Sequence, residues 1–242
     1  MEKAVSRIYF EAKEEKLRFE RKFVFPATDV ADLIEKEVLT NSFCFSEIYH
    51  RRAVNNIYFD RPDMIFYHQN VEGDGNRKKY RIRWYGDDMT RIEKPVLEVK
   101  KKFGEVGDKE SVKLKNLNTS LGDTDAFQVQ SLIEQALFDQ GDLDCLMEMQ
   151  KLTPRLINTY ERRYFLSFCG RFRITIDYNM RFFNPDLNDF LGAVKAIDNI
   201  VLELKYSRED DHAARQLSQE IGTRLSKNSK YVQGIDLFLF SA

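Results

Sequence analysis

Alternation of charged and apolar residues is the main pattern in this chain, and it predicts β-strands. In the clearest example the odd positions from Arg77 to Arg83 are all cationic, while Tyr80, Ile82 and Trp84 occupy the even positions. A strand sends successive side chains to opposite faces. One face of this strand would therefore carry a row of positive charge, and the other face would be an aromatic and aliphatic packing surface.

The same alternation recurs along the chain and is interrupted by stretches with helical spacing. Strands are predicted at 17–25, 54–60, 77–85, 93–103, 157–168, 171–178 and 200–206. Helices are predicted at 29–39, where Thr28 is the expected cap, and at 63–69, 124–139, 143–150 and 210–225. Segment 105–123 is polar and poorly periodic, so no regular element is predicted there. Without a repeat or linker, the pattern indicates one α+β domain with helices outside a sheet.

Composition narrows the classes of protein that this chain could belong to. The 242 residues include 38 Lys and Arg and 39 Asp and Glu, so the net charge is -1 and a generally basic nucleic-acid binder is excluded. Cys44, Cys145 and Cys169 are scattered and show no metal-ligand or redox spacing, which favours a reducing, cytoplasmic setting. No apolar h-region follows Met1 and no apolar run is long enough to cross a membrane, so neither a signal peptide nor a membrane span is expected.

The charged faces allow two interpretations, a solvated outer face or a polar interior. The interior is favoured because the opposite faces are unusually aromatic and because the charged faces are mostly Arg and Lys. Moreover, a single carboxylate recurs two residues from a cation, in the pairs Glu20/Lys22, Glu98/Lys100 and Glu203/Lys205. Like charges about 4 Å apart repel by roughly 4 kcal/mol at an effective dielectric constant of about 20. A closed barrel lined in this way would need a polyanion, and phosphate chains match arginine forks.

Nine short motifs carry a resemblance to a known family. They are 20–23 (ERKF), 58–60 (YFD), 81–86 (RIRWYG), 97–100 (LEVK), 109–113 (KESVK), 160–163 (YERR), 173–177 (RITID), 202–205 (LELK) and 229–234 (SKYVQG). In this order and spacing the chain resembles the triphosphate tunnel metalloenzyme (CYTH-like) superfamily and, within it, the polyphosphate-polymerase (VTC) domain. The resemblance covers about residues 17–236, nearly the whole chain.

The resemblance implies a fold and a set of site residues. The fold would be α+β, a single domain over 1–242 that forms an antiparallel tunnel of eight strands, with a basic lumen and helices outside. The expected catalytic cations are Arg81, Arg83, Lys100, Arg162, Arg173, Lys205 and Lys230, and the further phosphate-binding residues are Arg18, Lys22, Lys79 and Lys227. The expected ligands of Mn²⁺ or Mg²⁺ are Glu203, Glu98 and Glu20.

Some of these assignments leave alternatives open. The YERR motif offers two arginine registers, and Arg162 is chosen because Tyr160 and Tyr164 would flank it on one face. Glu98 could pair with a cation instead of binding metal, and Lys227 could be a solvated helix end.

The implied activity is transfer of the γ-phosphate of ATP to a polyphosphate chain. A metal-dependent triphosphatase and a non-catalytic polyphosphate-binding module are the alternatives. The expected ligands are ATP and inorganic polyphosphate or triphosphate, with no nucleic acid. The regulatory domain and membrane segment of eukaryotic polymerases have no counterpart in this sequence, so a membrane or regulatory partner stays open. No glycine-rich turn fits a phosphate-binding P-loop, so side chains would hold the phosphates.

Overall fold

The computed structural model describes residues 18–103, 106–186 and 194–239. Its strands are β1 (Arg18–Phe25), β2 (Phe45–Asp60), β3 (Asn76–Tyr85), β4 (Arg91–Glu93), β5 (Val96–Phe103), β6 (Val106–Lys113), β7 (Asn118–Ser120), β8 (Thr153–Ser167), β9 (Arg173–Phe183), β10 (Lys195–Ile197) and β11 (Ile200–Ser207). Its α-helices are α1 (Val30–Ile34), α2 (Ile65–Glu72), α3 (Ala126–Asp139), α4 (Leu143–Met149), α5 (Asp211–Gln219) and α6 (Lys230–Leu239). A π-helical turn (Glu35–Leu39) extends α1, and a 3-10 turn (Arg208–Asp210) precedes α5.

A large antiparallel sheet dominates the structure, which confirms the predicted α+β class. Its strand order is β1-β11-β9-β8-β2-β3-β5-β6, and β10 adds a ninth strand by pairing with β9. β4 and β7 form a separate pair. The eight strands of the main path match the expected number, but the expected closed barrel is not found. In the described part of the chain no pairing joins β1 to β6 at the two ends of the path.

The chain divides into two compact units, each with its own apolar core. The first unit comprises Met1–Arg51, Arg163–Tyr178 and Asn199–Asn228, and the second comprises Arg52–Arg162, Asn179–Asp198 and Ser229–Ala242. Strands β2, β8 and β9 contribute residues to both units. A single domain over the whole chain stays a prediction.

The first unit is organised around the apolar face of β1, β11 and β9. Phe23 on β1 pairs with Leu202 on β11, which pairs in turn with Ile176 on β9. All three side chains are at most 1% exposed and pack with residues of α1 and α5. Burying side chains of this size stabilises the fold by roughly 1.5–3 kcal/mol each.

The cap of α1 is Asp29 and not the predicted Thr28. The backbone of Asp29 is extended, and its carboxylate accepts hydrogen bonds from the N–H groups of Ala31 at 2.8 Å and Asp32 at 3.1 Å. A carboxylate satisfies the unpaired amides at a helix start and also complements the helix dipole, which favours Asp over Thr at this position.

The second unit packs the apolar face of β3 and β5 beneath α3. Tyr80, Ile82 and Trp84 are at most 3% exposed, and they share a core with Val129 and Ile133 of α3. This arrangement confirms that the aromatic faces of the strands are packing surfaces. It also fixes the direction of the cations on β3, because alternate residues of a strand must point the other way.

Segment 105–123, for which no regular element was predicted, contains β6 and β7. β6 pairs with β5 over its whole length, so backbone hydrogen bonds to a neighbouring strand form where the local pattern is weak. The predicted strand 93–103 is split into β4 and β5 at Lys94, whose φ is 46°, and Pro95. No helix in the described residues is long and apolar enough to span a membrane.

Gly234 on α6 provides a test of packing in the second unit. A Cβ atom there would lie 2.6 Å from Cδ1 of Phe182 and 2.9 Å from Cδ1 of Leu156. We therefore expect Gly234→Ala to lower the free energy of unfolding by about 1–3 kcal/mol, measured by denaturant titration. Gly122→Ala is the matched control, because its Cβ would meet only Ser120 Oγ at 3.4 Å. Equal stability of the two variants would contradict this packing.

Candidate functional site

The polar face of β3, β5 and β6 carries a large excess of positive charge. The register pairs Arg81 with Glu98 and Lys79 with Lys100, and Lys100 with Lys109 on β6. Because cross-strand partners share a face, the cations gathered there are Arg77, Lys79, Arg81, Arg83, Lys100, Lys102, Lys109 and Lys113. Among the described residues of these three strands, Glu98 is the only carboxylate on this face. An anion is therefore the ligand that this surface fits.

Glu98 is the point at which these cations meet. Its carboxylate accepts from Arg81 Nε at 2.7 Å and from Lys109 Nζ at 2.5 Å, and it lies 3.8 Å from Arg83 Nη1. Burial by itself would raise the pKa of Glu98, but the charges of Arg81 and Arg83 and the hydrogen bond from Lys109 lower that pKa far below its ordinary value. The group therefore stays ionised, and three cations share one negative charge.

Neutral polar groups orient the two arginines. Arg81 Nη1 donates to the Tyr58 hydroxyl at 3.2 Å, and Arg83 Nη2 donates to the Tyr160 hydroxyl at 3.2 Å. Arg83 Nε also donates to Asn56 Oδ1 at 3.0 Å, and the Arg83 residue is only 7% exposed. These partners fix the planes of the guanidinium groups without neutralising their charge, which suits bidentate binding of a phosphate.

Tyr160 brings two further predicted cations to the same place. Lys230 Nζ lies 4.6 Å from the centre of the Tyr160 ring, and the guanidinium carbon of Arg162 lies 5.3 Å from it. Arg162 is 8% exposed. The alternative arginine, Arg163, forms a two-pronged ion pair with Glu47 at 2.8 and 2.6 Å in the first unit. The geometry therefore favours Arg162 as the arginine of this motif that faces the site.

The buried carboxylate of Asp60 fixes the start of α6, where Lys230 lies. Asp60 accepts from the Tyr231 hydroxyl at 2.6 Å and from two backbone N–H groups at the start of α2, at 3.0 and 2.9 Å. Burial and the charge of Asp60 raise the pKa of Tyr231, so its hydroxyl remains a donor. The Tyr231 ring stacks on Tyr58, with centroids 5.4 Å apart. Lys230 is thereby held beside the arginine pair.

The polar face of the first unit carries a smaller group of charges. Lys22 pairs across strands with Glu203, while Lys205 pairs with both Glu20 and Arg173. Glu203 is 7% exposed, and its oxygens lie 4.0 Å from Lys22 Nζ and 3.7 Å from Lys205 Nζ. Arg173 and Glu20 are exposed. This face therefore presents a buried carboxylate between two ammonium groups.

The described residues offer few ligands for the divalent metal that the resemblance implies. In the ranges that the structure describes, no group of three or more His, Cys, Asp and Glu could hold a metal ion. Thr175 is the β9 neighbour of Glu203, and its buried Oγ1 has no hydrogen-bond partner in the described structure. One buried carboxylate and an adjacent hydroxyl fit Mg²⁺ or Mn²⁺ bound mainly through substrate phosphates and water, and not an all-protein cage.

The predicted site residues thus fall into two sets. The first unit holds Glu20, Lys22, Arg173, Glu203, Lys205 and Lys227, and the second holds Lys79, Arg81, Arg83, Glu98, Lys100, Arg162 and Lys230. Arg18 begins β1, but its side chain lies outside the described residues. Lys227 is exposed beyond α5. The ion pairs of Glu98 favour the alternative that it offsets cations. The catalytic and ligand roles of all these residues stay predictions.

Sequence reasoning missed Lys109, Asn56, Tyr58 and Asp60 as parts of this site. Lys109 stands in the motif at 109–113, but no role was predicted for it because no strand was predicted for its segment. If β6 had been predicted, the alternation of its side chains would have placed Lys109 on the cationic face. Tyr58 and Asp60 stood in the predicted second strand, but no sequence signal indicated their contacts with α6 or Arg81.

Removing the charge of Glu98 should destabilise the second unit. We expect Glu98→Gln to cost about 2 kcal/mol or more of unfolding free energy at pH 7, because three cations would lose their shared counter-charge. The pKa of Glu98 is lowered by folding, so its stabilisation is present above the ordinary Glu pKa of about 4.3 and is lost as the pH falls further. Urea titrations at several pH values measure this difference. Glu93→Gln, at an exposed ion pair with Arg91, is the control, and an equal effect of both changes would contradict the assignment.

Comparisons with known proteins show the fold and the family of this chain. No curated protein matches the chain. A Hippeastrum protein studied as a candidate adenylyl cyclase, and reported to have a dominant triphosphatase activity, matches with a TM-score of 0.50 and 14% identity over 93% of this chain and 96% of its own. This match shows a similar fold. A candidate adenylate cyclase from Vibrio parahaemolyticus gives 0.49 and 13% identity, over 93% of this chain and 98% of its own. The sequence profile of the VTC domain matches residues 17–239, and the chain therefore belongs to the VTC domain family.

Proposed function

We propose that this protein transfers the γ-phosphate of ATP to the end of an inorganic polyphosphate chain. The observation that carries the proposal is the pair of half-buried Arg81 and buried Arg83, which share Glu98 with Lys109 and keep a net positive charge. Membership in the VTC domain family supports the same substrate class. The closed tunnel that the resemblance implies belongs to this proposal as well, as does the expected cytoplasmic location.

The proposed role of the arginines follows from the needs of phosphoryl transfer. The γ-phosphoryl group carries spread negative charge in the transition state, and catalysis depends mainly on positioning and on fixed positive charge. Arg81 and Arg83 have guanidinium planes that are already oriented by Tyr58, Tyr160 and Asn56. They would therefore bind phosphate oxygens with little reorganisation, and Lys230 and Arg162 beside Tyr160 would add charge around the same phosphates.

The reaction itself exchanges one phosphorus–oxygen bond for another. A terminal oxygen of orthophosphate or polyphosphate would attack the γ-phosphorus of ATP, and the bond from that phosphorus to the bridging oxygen of ADP would break. The polyphosphate chain would become one phosphate longer, and ADP would leave. The protein would contribute the orientation of the two phosphates and fixed positive charge around them.

Glu203 and Thr175 are the residues that we propose for metal binding. Metal dependence is a property of the triphosphate tunnel proteins that the family resembles, and bound Mn²⁺ or Mg²⁺ would supply concentrated positive charge to the phosphate oxygens. Lys22 and Lys205, which lie within 4.0 Å of the Glu203 carboxylate, would offset its negative charge and contact phosphates themselves.

Hydrolysis is the second candidate function. The Hippeastrum protein with the similar fold has a dominant triphosphatase activity, and the same cations would serve if water replaced the phosphate acceptor. Products distinguish the two reactions: transfer yields ADP and long polymers, whereas hydrolysis of the terminal phosphate yields ADP and free phosphate without any polymer. Polyphosphate binding without turnover of ATP would instead support a non-catalytic binding module.

Replacing Arg83 with lysine keeps the positive charge but removes the guanidinium fork, so it tests whether the fork itself stabilises the transition state. We expect purified protein with ATP and Mn²⁺ to form polymer, detected by gel electrophoresis, and Arg83→Lys to lower kcat by about 10²–10³-fold because lysine cannot form a fork with phosphate. The control is Arg91→Lys, an exposed arginine in the same unit, which should leave kcat near the wild-type value. Equal activity of both variants would contradict the proposed role of Arg83.

Removing the carboxylate of Glu203 should impair metal use without weakening the binding of polyphosphate. We expect Glu203→Gln to abolish the dependence of activity on Mn²⁺ together with most of the activity. Its affinity for polyphosphate without metal should be equal or higher, because a negative charge has gone. Metal titrations of activity and metal-free binding assays measure the two effects. Glu209→Gln, at an exposed carboxylate of the first unit, is the control. An unchanged Mn²⁺ requirement in Glu203→Gln would exclude this ligand.

A further inference from the structure

Three successive pairs of cations face each other where β3 begins and β5 ends. The register pairs Arg77 with Lys102, Lys78 with Lys101, and Lys79 with Lys100. Like charges directly opposite each other on neighbouring strands are destabilising. Lys101 is compensated by Glu110 on β6, with Lys101 Nζ donating to Glu110 Oε1 at 2.6 Å. The pair Arg77 and Lys102 lies at the far end of the cationic face, beyond Lys79 and Lys100.

A cavity of about 280 Å³ opens at this end of the strands. Its charged lining residues are Arg61, Arg77, Lys78, Lys102, Lys151 and Glu148. Phe66 on α2 and Leu152 beyond α4 provide its apolar walls. None of the cations that line this cavity is assigned to the proposed phosphoryl transfer, so the cavity is a feature that the reaction leaves unexplained.

The charges around the cavity are only partly balanced. Lys78 and Lys151 share one carboxylate, that of Glu148, at 3.5 and 3.0 Å. Arg61 is 3.1 Å from Asp63, and both of these side chains are more than half exposed. Arg77 donates to a neutral group, the backbone carbonyl oxygen of Asp74, at 2.8 Å.

Counting Asp63 together with the charged lining residues leaves more cations than carboxylates. Such a concave, cationic surface concentrates anions.

We propose that this cavity is a second anion site, which binds a compound with several adjacent phosphate groups. Guanidinium and ammonium groups from the strands, from the turn after β2 and from the segment after α4 match phosphate oxygens, and one bridging anion could contact both Arg77 and Lys102. The volume is slightly below that of ordinary small-molecule pockets, roughly 300–1,000 Å³, which suits a compact oligophosphate. This inference goes beyond the proposed function, because binding here requires no turnover of ATP.

Two sources could supply that phosphate chemistry. Lys79 and Lys100 occupy the same face two residues away along the strands, a distance of about 7 Å, so a long polyphosphate could extend from the arginine pair into the cavity. A separate short phosphate compound could also bind in the cavity alone. Tripolyphosphate and long-chain polyphosphate are the two probes that distinguish these sources.

The test is calorimetric titration of both probes, without metal and at fixed ionic strength, into two variants of the full chain. Arg77→Gln with Lys102→Gln removes charge from the cavity, and Arg91→Gln with Lys115→Gln removes the same charge from exposed positions of the same unit. We expect the cavity variant to bind at least one probe about tenfold or more weakly than the control variant, which corresponds to about 1.4 kcal/mol.

A loss that affects tripolyphosphate supports a separate short ligand. A loss confined to the long chain supports an extended one. Equal binding of both probes by the two variants would overturn the proposal.

A second measurement uses the wild-type protein and needs no variant to fold. Mass spectrometry would follow acetylation of individual lysines with and without tripolyphosphate or long-chain polyphosphate. We expect at least one probe to slow labelling of Lys78, Lys102 and Lys151 several-fold relative to Lys94 and Lys115, which lie outside the cavity lining. Absence of this selective protection with both probes would also overturn the proposal. Neither measurement depends on catalysis. A protein that binds phosphates at the cavity but forms no polymer would therefore contradict the proposed reaction and leave the cavity site standing.

Discussion

The cationic face of the second unit depends on the negative charge of one buried carboxylate. Glu98 accepts from Arg81 and Lys109 and lies near Arg83, so a single negative charge holds three positive ones together. Without it, their repulsion would spread the side chains apart. With it, the three cations keep a net positive charge, which suits a further anion. Stability and affinity for phosphate therefore depend on the same ion pairs.

The apolar side of the sheet is the second requirement, because it decides which way the cations point. Tyr80, Ile82 and Trp84 lie beneath α3, and the alternate residues of β3 must therefore project from the opposite face. Slipping the strand by one residue would bury charge and expose Trp84. The hydrophobic core thus decides the face of the sheet from which the arginines project.

Asp60 links the site to the chain's last described helix. It binds two amides at the start of α2 and the hydroxyl of Tyr231 on α6, whose ring stacks on Tyr58. Tyr58 in turn accepts from Arg81. Because α6 carries Lys230, a carboxylate that touches no predicted substrate orders both a cation and the aromatic surface beside the arginines. We regard Asp60 as a positioning residue for that reason.

The sequence by itself determined the alternation of charged and apolar faces, the α+β class and the order of motifs that resembles the VTC domain. These properties depend on the spacing of residue types along single segments of the chain, and that spacing can be seen directly in the sequence. Tertiary structure decided the pairing of β6 with β5, which brings Lys109 to Glu98, and it placed Lys151 and Arg77 in the lining of one cavity. Such contacts join residues far apart in the chain through backbone hydrogen bonds and packing, which no local pattern encodes.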